Sequence, residues 1–325
     1  MTMKARNTRP LPGETVPAST ESERGRTPSA PVRVAVVGAT GFIGSATVRA
    51  LASAGIACTA VARTRSDQDI PGVVFAQADL TDPASLGAAF TGADVVIHAA
   101  SYTGSDPAHC TAVNVDGTEN LLAAAARNGI RRVLYVSTIG VYGDGPHSGI
   151  GEFDATPAPV SAVSASRLTA EHRVLESGGC VVRPGFVHGP GDRWFVPGFI
   201  RILETLGAWV NEGRSRISVI AVTDLARLLA TLAAQATAHS GDVFHACHPD
   251  PVTVRELGRA LVDSGRLRLQ ADSFTFDDAV TAGTRRGLTE RHLDLIGRDH
   301  WYDPTRLLTA TGATFGHGPL DNLPA

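Results

Sequence analysis

From Val32 onward the chain alternates two hydrophobic rhythms: short apolar, β-branched runs, and longer stretches with apolar positions at helical spacing. Val32-Arg-Val-Ala-Val-Val37 predicts a first strand, and Gly38-Ala-Thr-Gly-Phe-Ile-Gly44 follows it directly and opens a helix through about Ser53. Further strands are expected at Ala57–Ala62, in Val73–Leu80, in Asp94–Ala100 and in Arg131–Ser137. Strands alternating with helices in this way predict an α/β fold built on a parallel sheet. After Gly189 the rhythm changes. Arg193–Leu203 reads as a loop entering a helix, and Ser218–Leu229 as a strand followed by a helix with Asp224 near its start. Val243–Cys247 reads as a late sheet strand, and Val252 leads into a helix with Thr253 and Glu256 at capping-box spacing. The expected organisation is a sheet domain over 32–185, with 217–247 returning to it. A smaller lobe, discontinuous in sequence, is expected from 186–216 and 248–325.

Residues 1–31 are rich in Pro, Ser, Thr, Glu and Arg and poor in apolar side chains, which predicts a disordered tail without the apolar core of a signal peptide. No segment approaches 18 uninterrupted apolar residues. The formal net charge of −3 gives no footprint for nucleic acid or an anionic membrane. Four cysteines, at 58, 110, 180 and 247, are spread without Cys-x-x-Cys pairing, as buried reduced thiols are. The expectation is a soluble cytoplasmic protein, monomer or homodimer, with no nucleic-acid or membrane partner. His245-x-Cys247-His248 is not read as a zinc site, because one strand end cannot set three ligands tetrahedrally. The three tryptophans, Trp194, Trp209 and Trp301, fall with Phe195, Phe199 and Tyr302 in the later half, and this set suits a flat apolar ligand.

The strand–loop–helix setting gives the glycines meaning. Gly38, Gly41 and Gly44 permit a tight turn whose backbone N–H groups can approach a pyrophosphate at the positive end of the helix. Thr40, Phe42 and Ile43 complete that loop. A conserved-type acid that would accept from a ribose 2′-hydroxyl is missing at the end of the second strand, where Arg63 and Arg65 stand instead. Arginine there can take a 2′-phosphate, so NADPH is the expected cofactor.

The order of these landmarks resembles the extended branch of the short-chain dehydrogenase/reductase superfamily, the epimerase/dehydratase-like enzymes. The resemblance spans about residues 32–310 and implies a Rossmann doubly wound parallel sheet with a C-terminal substrate lobe. It rests on the glycine loop, Asp79-Leu80, Ala99-Ala100, Asn114-Val-Asp-Gly-Thr-Glu-Asn, Ser137-Thr-Ile-Gly-Val-Tyr142-Gly and Arg183-Pro-Gly-Phe-Val-His188. It implies cofactor contacts at Asp79, Leu80, Ala99, Ala100, Asn114, Pro184 and Gly185. It implies substrate contacts at Ser101, Tyr102, Val163, His188, Trp194, Phe195 and Phe199. The family's helix reads Tyr-x-x-Ser-Lys-x-x-x-Glu. Aligning Ser166 and Glu171 with it places Val163 in the tyrosine slot and Arg167 in the lysine slot. No other lysine can substitute, since Lys4 is the sole lysine in the chain.

The family's proton donor is therefore absent. A guanidinium keeps its protons at neutral pH, so Arg167 can hold the cofactor ribose but not act as the acid. Ser137 and Thr138 remain to donate a hydrogen bond to a developing oxyanion. Replacement acids at Tyr102, Tyr142, His98 and His188 stay open. A reaction needing no acid from the protein is NADPH-dependent reduction of an aromatic ketone that carries its own proton source, the chemistry of the atypical ketoreductases of aromatic-polyketide pathways, which this pattern resembles. The alternatives are a non-redox cyclase, epimerase or dehydratase on the same scaffold, and a redox-inactive nucleotide-binding sensor.

Overall fold

A computed structural model describes residues 32–65, 69–235, 239–269, 272–321 and 323. The tail expected over 1–31 lies outside the described residues. The first half runs β1 (Arg33–Val37), α1 (Phe42–Ser53), β2 (Ala57–Ala62), β3 (Val73–Gln77), α2 (Pro83–Ala89), β4 (Val95–His98), α3 (Pro107–Cys110), a π-helical turn at Thr111–Asp116, α4 (Gly117–Arg127) and β5 (Arg132–Val136). After a 3₁₀ turn at Ile139–Tyr142 come β6 (His147–Ile150), α5 (Ala162–Glu176), β7 (Cys180–Pro184), β8 (Phe186–His188), α6 (Phe195–Leu206), β9 (Trp209–Val210), β10 (Arg216–Ile217), β11 (Val219–Ala221) and α7 (Val222–Ala234). The chain continues through β12 (Val243–Ala246), β13 (Val252–Thr253), α8 (Val254–Asp263), β14 (Ser273–Phe274), α9 (Phe276–Thr284), α10 (Glu290–Gly297), β15 (His300–Tyr302) and α11 (Thr305–Thr311). The capping box expected before α8 is present, with the Thr253 and Glu256 side chains each bonded to the other's backbone N–H.

Seven parallel strands form the main sheet in the order β12-β7-β5-β4-β1-β2-β3. Alternation along β1 builds both faces. Val34 and Val36 enter one apolar layer with Leu51, Leu225 and Leu229, while Ala35 and Val37 enter the other with Leu86, Leu121 and Ala125. The order of strand addition reverses at β1, with β2 and β3 on one side and β4 on the other. Such a switch point opens a crevice at the strands' carboxyl ends.

The second apolar cluster is gathered from α6, α8, α9 and α10 around Phe199, Leu203, Trp209, Leu257 and Leu293. Beside it lies a four-stranded sheet in the order β13-β10-β15-β6. Two pieces differ from the sequence-based partition. His147–Ile150, inside 32–185, pairs with β15, and Ile217, inside 217–247, pairs with β13 and β15. A Cβ on Gly149 would lie 2.4 Å from the Trp301 ring, so only glycine lets β6 come alongside β15 at this point. All four cysteines are buried free thiols. Among the described residues, no helix is long and apolar enough to cross a membrane.

Candidate active site

The crevice begins at Gly38, which ends β1 with φ of +85°; a Cβ there would lie 2.7 Å from the Ala100 nitrogen. A Cβ on Gly44 would sit 2.1 Å from the Gly38 carbonyl oxygen, so α1 can start this close to β1 only with glycine. Gly41 is the N-cap of α1, no side chain caps the helix, and its first turn carries no acidic residue. This open, uncharged helix start over a glycine-rich turn fits a dinucleotide pyrophosphate.

Arg63 follows β2 directly and is exposed, and its side chain has no hydrogen-bond partner among the described residues. Arg65 differs: it is paired with Asp69 at 2.7 Å and lies over the Phe75 ring. With Thr40, Ser45 and Arg49 it lines one pocket beside the glycine loop. The Asp79 carboxylate accepts from the backbone N–H and hydroxyl of Thr81 at 2.9 and 2.8 Å, and the Thr81 N–H in particular holds its pKa below the usual value. Leu80 is buried, with its backbone carbonyl held by Asn120 at 2.9 Å.

At the carboxyl end of β5, Ser137 is buried and its hydroxyl has no hydrogen-bond partner among the described residues. Thr138 caps the following 3₁₀ turn by accepting from the Gly140 N–H at 3.1 Å, which leaves its own hydrogen available. The Ser164 hydroxyl approaches the same point: a Cβ on Gly140 would lie 3.2 Å from it and 3.3 Å from Thr138 Oγ1. On α5, Val163 stands half-buried one residue before Ser164. The Arg167 guanidinium donates from Nη2 to the carbonyls of Val136 and Ser137 at 2.9 and 2.7 Å, tying the helix to the strand end.

Asn114, a cofactor contact by the resemblance, has its carboxamide bonded within the protein. Its Oδ1 accepts from the Tyr102 N–H at 2.7 Å and the Ser101 hydroxyl at 3.2 Å, while Nδ2 donates to the Tyr102 carbonyl at 3.0 Å and Ser166 Oγ at 2.9 Å. The carboxamide is fully used, so Asn114 fixes the loop after β4 against α5. It sits in the π-helical turn, and such turns aim individual side chains at functional sites. The phenol of Tyr102 folds over Gly104, where a Cβ would lie 2.3 Å from its oxygen.

The other candidate acids are sealed. Tyr142 Oη accepts from Arg183 at 2.8 Å, lies 2.7 Å from His245 Nε2 and donates to the Glu152 carbonyl at 3.1 Å; burial pushes its pKa up to about 12. Arg183 in turn grips Glu171 through Nε and Nη2 with both partners buried. His98 is wholly buried, which pushes its pKa down to about 3, with the Arg167 charge adding to the effect. His188, expected at the substrate, is also wholly buried, and its Nε2 meets the Pro319 carbonyl at 2.9 Å.

The lobe wall starts at Gly191, where a Cβ would lie 3.6 Å from the Phe42 ring, so this loop passes close over the start of α1. Asp192 accepts the N–H groups of Trp194, Phe195 and Val196 at 2.8–2.9 Å and so caps α6. Phe195 stacks on Phe186 with centroids 4.9 Å apart and leans on Phe199 at 6.2 Å, while Trp194 is 68% exposed. Trp209 is core and Trp301 half-buried, so the tryptophans do not act as one set.

Residues 34–247 match the profile of the NAD dependent epimerase/dehydratase family. The chain belongs to that family. Within it, the chain is 30% identical over 264 residues to the 4-hydroxy-2-methyl-3-oxo-4-farnesyl-3,4-dihydroquinoline-1-oxide ketoreductase of Stigmatella aurantiaca, covering 77% of this chain and 78% of that protein. It is 30% identical over 253 residues to the 2-alkyl-3-oxoalkanoate reductase of Stenotrophomonas maltophilia (strain K279a), covering 71% and 75%. Its fold matches the Bordetella bronchiseptica enzyme WbmH in complex with NAD+ with a TM-score of 0.71 at 22% identity, over 90% of this chain and 96% of that one. The protein is thus an enzyme of the epimerase/dehydratase/reductase superfamily, which works with a nicotinamide nucleotide.

Against this family's usual site, sequence reasoning missed three features: Ser164 beside Thr138, the positioning role of Asn114, and the Asp192 cap. Ser161 and Ser164 at N-cap and N3 carry a helix-start signal for the first. Nothing in the local sequence signals the four bonds of Asn114, whose partners lie 12 to 52 residues away.

Proposed function

We propose that this enzyme is an NADPH-dependent ketoreductase acting on a ketone within a flat polycyclic aromatic natural product, with the proton furnished by the substrate. The observation that carries this reading is an open nucleotide cradle beside a crevice with valine and arginine in the slots for the acid and its lysine. Tyr142, His98 and His188 are buried. When bound, the nicotinamide supplies a hydride. Ser137 and Thr138 orient the carbonyl and stabilise charge on its oxygen by hydrogen bonding. Arg167 holds the cofactor side of the crevice, and Val163 leaves room for the substrate ring. A hydroxyl next to the ketone, or an enolisable position, then delivers the proton.

One of the two relatives supports a ring ketone with a neighbouring hydroxyl. The Stigmatella ketoreductase acts on a fused-ring 3-oxo compound that also bears a 4-hydroxy group. The stacked pair Phe186 and Phe195, backed by buried Phe199, and exposed Trp194 offer flat apolar surfaces to such rings. The pattern resembles the atypical ketoreductases of aromatic-polyketide antibiotic pathways, among them the angucyclinone C-7 ketoreductase of simocyclinone biosynthesis. The direct test is NADPH consumption matched to carbinol formation with hydroxylated polycyclic ketones. Tight cofactor binding without consumption across such a panel would instead favour a non-redox or sensing role.

Two variants probe the unusual helix. Restoring the family residues with Val163→Tyr and Arg167→Lys is expected to leave turnover no higher, because the added phenol overfills space now open to substrate at a cost of about 1–3 kcal/mol. A large gain in steady-state kcat would show that the protein simply lacks an acid. Ser137→Ala is expected to slow hydride transfer roughly ten- to hundredfold, somewhat below the loss of a dedicated oxyanion donor. Unchanged single-turnover rates would assign that role to Thr138.

A further inference from the structure

Beneath Arg167 lies a buried polar cluster that the reaction as described does not use. His98 on β4 and Tyr135 on β5 are register partners on one face of the sheet, with ring centroids 5.0 Å apart and exposures of 0% and 1%. The arrangement fixes the imidazole tautomer. Thr118 Oγ1 donates its hydrogen to the Asn114 carbonyl at 2.6 Å, and a hydroxyl has one hydrogen to give. Its 3.0 Å contact with His98 Nε2 is therefore one in which the imidazole donates. The proton sits on Nε2, and Nδ1 is a bare acceptor.

Three buried atoms then have no partner in full hydrogen-bond geometry among the described residues, His98 Nδ1, Tyr135 Oη and Arg167 Nε, although the Arg167 guanidinium lies close enough to the Tyr135 hydroxyl to oppose the rise that burial imposes on its pKa. They belong to one place, since Arg167 Nη2 lands on the carbonyls of Val136 and Ser137, next along the strand from Tyr135. They are also complementary: one acceptor, one hydroxyl and one donor. An unsatisfied buried group of this kind costs about 1–3 kcal/mol, more when charged.

We propose that one water molecule joins Arg167 Nε, Tyr135 Oη and His98 Nδ1, and that Tyr135 and His98 are thereby positioning residues for the Arg167 guanidinium at the cofactor. The water accepts from the Arg167 N–H and the Tyr135 O–H and donates to His98 Nδ1, close to the usual three bonds of an internal water. Burial disfavours the charged form of His98, which keeps Nδ1 free to accept. The cluster also explains why arginine, with one donor more along its stem than lysine, suits this slot. The proposal rests on the reading of Arg167 as a cofactor-holding group.

Two measurements on the full chain test it. Imidazole ¹⁵N NMR is expected to show His98 neutral, with its proton on Nε2, throughout the range of about pH 5 to 8 where unperturbed histidine titrates. A proton on Nδ1, or titration within that range, would overturn the assignment, and neither result depends on any ketone being reduced. Tyr135→Phe, which keeps the ring, is expected to raise the Kd and KM for NADPH about two- to tenfold, with kcat at saturation unchanged. In an Arg167→Ala background the same change should do nothing. An equal rise with and without Arg167, or a fall in kcat alone, would show that Tyr135 acts only as core.

Discussion

A ketone analogue in which the hydroxyl neighbouring the carbonyl is removed or methylated is expected to be reduced about 10²- to 10⁴-fold more slowly than its parent while binding comparably. The range is the contribution that a positioned general acid makes, roughly 3–5 kcal/mol of barrier. On the proposed reading the loss falls on the substrate because Tyr142 and His98 are not donors of suitable acidity. Burial holds Tyr142 near 12, and His98 is kept neutral with its one proton committed to Thr118. The serine and threonine hydroxyls can share a hydrogen bond but do not release a proton unaided. Single-turnover rates and dissociation constants for the two ketones separate chemistry from binding. Equal rates would place the acid in the protein, with Tyr102 the first residue to test.

Arg63→Ala is expected to weaken NADPH binding by about 1.5–3 kcal/mol, roughly ten- to hundredfold, with little effect on NADH. The argument is local. Arg63 follows β2 with no hydrogen-bond partner for its guanidinium among the described residues, only the charge of nearby Asp79, whereas Arg65 already pairs with Asp69. A 2′-phosphate would give Arg63 a charge-assisted bond without first breaking another. Arg65→Ala should therefore cost less than Arg63→Ala. Calorimetric titration with both cofactors measures each term. Equal affinity of the unmodified protein for NADPH and NADH would remove the basis for the preference.

Local rhythm made much of the sheet legible. Alternation in Val34–Val37 assigns each residue to one face, and Gly38 and Gly44 mark where backbones cross too closely for a side chain. The capping box at Thr253 and Glu256 likewise depends on neighbours three residues apart. What escaped the sequence is set by distant contacts. The pairing of β6 with β15 joins His147 to His300, and the π-helical turn is held by the Asn114 bonds to Tyr102 and Ser166. The missing tyrosine could be read directly from Val163. That Arg167 would spend Nη2 on two strand carbonyls could not, because that geometry depends on how α5 packs over the end of β5.

The central claim is hydride transfer from NADPH to a ketone without an acid from the protein. It is tested most directly by following deuterium from NADPH deuterated at both C4 positions into the carbinol carbon during a single turnover of the Tyr102→Phe variant with a hydroxylated polycyclic ketone. The account predicts full deuterium incorporation at a rate close to that of the unmodified enzyme. Loss of transfer in the variant while the unmodified enzyme transfers normally, or a product without deuterium from either protein, would contradict it.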